Sequence, residues 1–217
     1  MIFITYNTVS AFLCFLAALI FLVKDKDPAW RLLILFLLAS CAAEVLGVYM
    51  RRVMHTNLAV YNIYLLVECG FTSYFYYHLY NNYKHKLRWL LIWLGAFSVM
   101  YITELMLNHF SDFASVSATV MSVVFVLASL LYYFLKLQDD RFEPLLTSAP
   151  FWWVSGALFF YFGSTACNLF FDFLKEHDYS GYSRSVRYSV FILLNIILYT
   201  CWLFSFICRY RQRKLST

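Results

Sequence analysis

The chain has 217 residues, 63% of them hydrophobic and 22% aromatic against only 13% charged, and its net charge is +5. So little polar surface cannot cover a soluble globule, which points to a polytopic membrane protein. The positive charge needs no nucleic-acid partner, because most of it falls beside apolar runs where anionic lipid of the bilayer would meet it.

Seven windows reach the roughly 20 apolar residues that cross a hydrocarbon core of about 30 Å. They lie near 3–23, 30–50, 58–80, 87–107, 113–136, 151–173 and 187–208. The longest remaining loops, around 137–150 and 174–186, are too small to fold separately. The expectation is one all-α domain over 1–217, a seven-transmembrane-helix bundle. Counting alternate segments, Lys24, Lys26, Arg31, Lys84, Lys86, Arg88, Lys136, Arg141, Arg209, Arg211, Arg213 and Lys214 share one side, and Arg51, Arg52, Lys175, Arg184 and Arg187 share the other. That split of 12 to 5 predicts the N-terminus outside and the C-terminus inside. No positive residue precedes the first apolar run, so it reads as a retained span, not a signal peptide. Trp30, Trp89, Trp152 and Trp153 fall at predicted cytoplasmic span ends, where indoles favour the membrane boundary.

Polar residues within the spans carry the next step, since a charge at mid-bilayer costs about 2.5 kcal/mol or more and normally faces protein or trapped water. The second span carries the stripe Ser40, Glu44, Gly47, Arg51 beside a ladder of small residues, Ala39, Ala43 and Gly47, that lets a neighbouring helix approach. On the third, Asn57, Tyr61, Tyr64, Glu68 and Thr72 recur at helical spacing, with Glu68 about 16 Å below Asn57. The fourth adds Tyr101, Glu104 and Asn108, the sixth Ser164, Asn168 and Asp172, and the seventh Tyr188, Asn195 and Tyr199.

These stripes predict an outward-facing polar cavity that ends near Glu68 and Asn195. Its ligand-binding candidates are Glu44, Glu68, Tyr61, Tyr64, Asn168, Asp172 and Asn195. A small cationic or polyhydroxylated ligand would suit it, as would water and a proton, and Glu68 could then respond to pH. The competing reading makes Glu44 and Glu68 hydrogen-bonding glue between helices. Glu104, Asp172, His55, His109 and His177 near the outer ends read as solvated rim.

Specific chemistries find little support. The six cysteines lie inside spans without CxxC spacing or a histidine cluster, so neither a disulfide framework nor a zinc site is indicated, and no cofactor is called for. A retinal protein needs a lysine in its last span, and 187–208 has none. A carboxylate metal site from Glu44, Glu68 and Asp172 is not required by their spacing. Acid–base processing of lipid by Glu44 and Glu68 would need the two carboxyls in contact. The basic ending, with Arg209, Arg211, Arg213 and Lys214, is either a lipid anchor or a docking segment for a signalling partner.

The segment FWWVSGALFFYFGST and the ending ILLNIILYTCWLFSFICRYRQRK, within a compact seven-span chain, resemble uncharacterised bacterial seven-helix membrane proteins of the kind that accompany sensor histidine kinases. The resemblance implies a bacterial cytoplasmic membrane and a sensory or accessory role, and it brings no catalytic signature. The alternative is a transporter made of two parallel three-helix units and a linker helix, a 3+1+3 repeat. Aligning the third span with the seventh lays Glu68 on Asn195.

Overall fold

The computed structural model describes residues 6–81, 87–109, 112–138, 144–176 and 180–215, with the side chains of 87, 170–185 and 187 left outside the description. The described residues are all-helical. The helices are α1 (Tyr6–Leu22), α2 (Pro28–Val53), α3 (Leu58–Asn81), α4 (Leu87–Leu107), α5 (Ser115–Leu137), α6 (Ala149–Glu176) and α7 (Ser180–Leu215), with a 3-10 turn at Leu145–Thr147. Each apolar window of the sequence coincides with one helix.

Among the described residues, four helical stretches are long and apolar enough to cross a membrane, namely Pro28–Val53, Arg88–Leu107, Ser115–Leu137 and Tyr188–Leu215. Helix α1 is apolar but only 17 residues long. Helix α3 has the length, at 24 residues, but six tyrosines together with Asn62 and Glu68 make it more polar. Its polar side chains are turned into the bundle: Asn62, Thr72, Ser73 and Tyr76 are buried, whereas Ile63 and Leu66 are exposed. The outward faces of the other helices carry Phe12, Ile20, Leu35, Val45, Ile92, Val99, Leu127, Phe162 and Leu193. That apolar exterior is what a protein with lipid as its solvent presents. The chain is a membrane protein.

Local chemistry sets the helix ends. Asp27 caps α2 by accepting from the Ala29 amide at 3.0 Å, and Pro28 takes the first helical position, where no amide donor is needed. The start of α5 is capped from elsewhere in the chain. Glu104 of α4 accepts from the amides of Val116 (2.8 Å) and Ser117 (2.7 Å) and from the Ser117 hydroxyl (2.6 Å). Asn62 of α3 holds the same junction, accepting from the Ala114 amide and donating to the Asp112 carbonyl, both at 3.1 Å. Glu104 is therefore buried and structural rather than part of a solvated rim.

The helices close into a ring. α1 packs on α2, α2 on α3, α3 on α5, α5 on α6, α6 on α7, and α7 returns to α1, while α4 lies against α3 and α5. The α6–α7 crossing is tight at Gly156, where a Cβ would stand 2.9 Å from that of Cys201 and 3.1 Å from the Leu198 carbonyl oxygen.

A seam of rings fills one end of the bundle. Trp30 meets Phe75 edge-on at 5.1 Å, Phe75 lies 4.3 Å from Trp153, Trp153 stacks on Trp202 at 5.6 Å, and Trp202 meets Phe36 at 5.8 Å. Such contacts add about 0.5–1.5 kcal/mol each beyond the area they bury. Trp30 and Trp153, near the starts of α2 and α6, are thus buried among other rings, whereas Trp89 is exposed.

Below the seam lies an ion cluster. Arg209 of α7 donates to both oxygens of Asp25, at 2.9 and 3.1 Å, and its guanidinium sits 5.1 Å over the Trp30 ring. Arg213 approaches Asp25 at 3.8 Å, and His78 of α3 reaches Asp27 at 3.0 Å. Burial pushes the Asp25 carboxyl up, but the Arg209 hydrogen bonds, the Asp27 amide and the two guanidinium charges outweigh it and hold the group below the ordinary carboxylate range.

Two outcomes follow from these ties. Because the folded value of Asp25 is depressed, its contribution is present above the ordinary carboxylate range and disappears as pH falls through that range toward the folded value. Melting of purified protein should therefore show an acid loss of stability that Asp25→Asn flattens, and at neutral pH the variant should be about 1–3 kcal/mol less stable, since Arg209 keeps only its longer contact of 3.6 Å to Asp27. Glu104→Ala should cost about 1–2 kcal/mol by uncapping α5, read by thermal melting, with the accessibility of the cavity described next unchanged.

Candidate functional site

Inside the ring, at the end opposite the ion cluster, is a cavity of about 930 Å³. Its mouth is set by Arg51 and Asn57, where α2 ends and α3 begins, and by Tyr188 near the start of α7. The stripes seen in the sequence converge here. Ser40 and Glu44 come from α2, Tyr61, Tyr64 and Glu68 from α3, Ser164 and Asn168 from α6, and Asn195 and Tyr199 from α7. Asp172 lies among the residues whose side chains are outside the description, as does His177. Helix α4 contributes nothing to the described lining: its Tyr101 instead donates to the Asn62 carbonyl at 2.9 Å.

Helix geometry explains the convergence. Residues three or four apart share one face, so α2 and α3 each turn a single polar line inward. The two helices meet closely because Gly47 leaves room for Tyr61, whose hydroxyl oxygen lies 2.9 Å from where a Cβ would stand. Within the small-residue ladder, Gly47 has no room for a side chain because Tyr61 fills the space.

Glu68 accepts a hydrogen bond from the Tyr161 hydroxyl at 2.8 Å, and the Thr72 hydroxyl lies 3.4 Å from that same oxygen. Tyr64 pairs with Ser40 at 2.8 Å, and Ser40 also donates to the Phe36 carbonyl at 3.0 Å. Asn195 donates to the Phe191 carbonyl of its own helix at 2.8 Å, and Asn168 makes a long contact of 3.5 Å to Thr119. The Tyr64 hydroxyl lies within electrostatic reach of both Glu44 and Glu68, and Tyr199 within reach of Glu44. Glu44 makes no hydrogen bond or ion pair among the described residues. No hydrogen bond joins the two carboxyls among the described residues; the one made by Glu68 goes to Tyr161.

The cavity is deeper than the sequence stripes imply. Below Glu68 and Asn195 it continues to Phe36, Leu198 and Trp202, which belong to or border the aromatic seam. Tyr161, which donates to Glu68, is not among the residues that the sequence stripes bring out. It continues the stripe Ser164, Asn168 by one turn, a spacing that was legible, but a lone tyrosine among aromatic neighbours carries no distinguishing mark. The contribution of α5, through Ala118, Met121 and Ser122, had no polar stripe to announce it.

Comparison with protein-family models, curated proteins and solved structures finds no match to the chain, so any function must be argued from this geometry.

Replacing Glu68 separates its local roles. Glu68→Gln keeps an acceptor for Tyr161 and should fold with a melting temperature close to wild type. Glu68→Leu leaves the Tyr161 hydroxyl without that acceptor and should cost about 1–3 kcal/mol, measured by thermal melting in detergent.

Proposed function

We propose that the chain is a multi-pass membrane receptor or accessory sensory subunit that binds a small polar or cationic ligand in its cavity. All seven helices then cross a bacterial cytoplasmic membrane, with the cavity mouth outside and the ion cluster inside. The observation that carries this reading is the one-ended cavity: carboxylates, tyrosines and asparagines line it from one side, and an aromatic seam backed by an ion cluster closes the other. Polar groups at this depth are costly in lipid and mark binding sites or ion paths more often than packing. The distribution of Lys and Arg supports the orientation.

In this reading the basic end of α7 is the docking segment for a signalling partner. Arg209 and Arg213 are engaged with Asp25, and Lys214 lies 4.9 Å over the Tyr210 ring, so the exposed Arg211 is the charge best placed to meet a partner or anionic lipid.

A small-solute transporter of 3+1+3 type is the second reading. The position of α4, against α3 and α5 and outside the ring, favours it, since a linker between two three-helix units would lie there. Transport requires a path through the seam.

Labelling from the two sides of sealed vesicles separates these readings. Ser164→Cys and Asn195→Cys are introduced after the six native cysteines are replaced, and a membrane-impermeant thiol reagent is applied to each face in turn. The receptor reading expects modification from the mouth side only. Modification from both sides favours the transporter, and modification from neither removes the open cavity from both readings.

A further inference from the structure

We propose that the cavity selects an organic cation, an ammonium group held by Glu44 and Glu68 with its apolar body against Phe36, Tyr64, Tyr199 and Trp202. The inference rests on the ligand-cavity reading above and narrows it to one chemistry.

Charge is the first argument. The ion pairs of the described residues join Asp25, Asp27, His78, Arg209 and Arg213 at the closed end, and none of them involves Glu44 or Glu68. A carboxylate offers about four acceptor sites. Glu68 uses one of them, for Tyr161, and Glu44 uses none among the described residues. Arg51 is the cation of the described lining, but it is exposed at the mouth, about 10 Å along α2 from Glu44, where water and salt screen it.

The remaining neutral groups give the second argument. A polyhydroxylated ligand needs donors and acceptors in alternation, yet several are already spent within the protein. Tyr64 is paired with Ser40, Tyr161 with Glu68, and Asn195 with its own helix. What the cavity holds in excess is acceptor capacity on two carboxylates.

Ring faces supply the third. Phe36 and Tyr64 lie nearly parallel, 9° apart with centroids 6.5 Å distant, and Trp202 stands 5.8 Å from Phe36. Tyr199 adds a ring 6.0 Å from Trp202. A cation over such faces gains about 0.5–2 kcal/mol per contact, most with Trp and when water is excluded. Carboxylates alone would suit an inorganic ion, and rings alone a neutral apolar molecule. The two together in about 930 Å³ fit a positively charged organic molecule.

The test uses the full chain in nanodiscs of zwitterionic lipid, so that ammonium probes are not drawn to the bilayer by charge. Tetramethylammonium, benzyltrimethylammonium, benzyl alcohol and mannitol are titrated by calorimetry. The proposal expects saturable binding of at least one ammonium probe and none of benzyl alcohol or mannitol. Glu44→Gln and Glu68→Gln should each weaken that binding about tenfold or more, as expected for loss of a charged partner. Binding unchanged in both variants overturns the assignment, because the cation would then sit elsewhere. Saturable mannitol binding without ammonium binding also overturns it, yet leaves the cavity as a ligand site. No binding of either ammonium probe to the wild type overturns it without reference to any variant, and one-sided cysteine labelling would still decide the receptor reading separately.

Discussion

The pairing of Asp25 with Arg209 brings the two ends of the chain together. Asp25 sits in the short turn between α1 and α2, and Arg209 lies 184 residues later on the last helix. Their two parallel hydrogen bonds fix α7 against α1 and α2, so that what could be an open row of helices becomes a ring. The pair survives burial because its other needs are met: the Asp27 amide supplies a third donor to Asp25, and Trp30 lies under the guanidinium. A ring with a hollow centre depends on such closure more than a packed bundle does, since fewer contacts cross its middle.

The aromatic seam and the cavity divide the interior between them. From α2, α3, α6 and α7, rings interlock at one end, and from the same four helices polar side chains face a void at the other. Each helix is thus apolar on its inner face for part of its length and polar for the rest. That division explains why α3 looks too polar to be an ordinary span, because its tyrosines serve both ends. Tyr61 and Tyr64 line the cavity, while Tyr76 packs on Trp153 and bonds Ser129 at 2.6 Å.

Much of this was legible in the sequence, for a definite reason. Helices in an apolar chain announce themselves by length, and a polar stripe in such a helix has only one low-energy direction to face. Glu44, Tyr61, Tyr64, Glu68, Asn168 and Asn195 could therefore be assigned to one interior before any coordinates. Other features were hidden because they depend on partners far apart in the chain. Glu104 resembles any acid near a span end until Val116 and Ser117 present their amides to it. Trp30 resembles an interfacial anchor until Phe75 and Arg209 enclose it. Half of the basic ending resembles a free patch until Asp25 is placed beside it.

The same logic bears on whether the two cavity carboxylates are glue. Glue between helices is judged by what each group is bonded to, and the chain shows what good bonding looks like: Glu104 takes three donors and Asp25 takes three. Glu68 takes one, and Glu44 takes none among the described residues. As a bond between helices, Glu44 contributes none among the described residues, at a position where a serine or alanine would pack against α3 at less cost. An acid in a roomy pocket beside ring faces, with one described hydrogen bond or none, adds little to the packing of the helices around it.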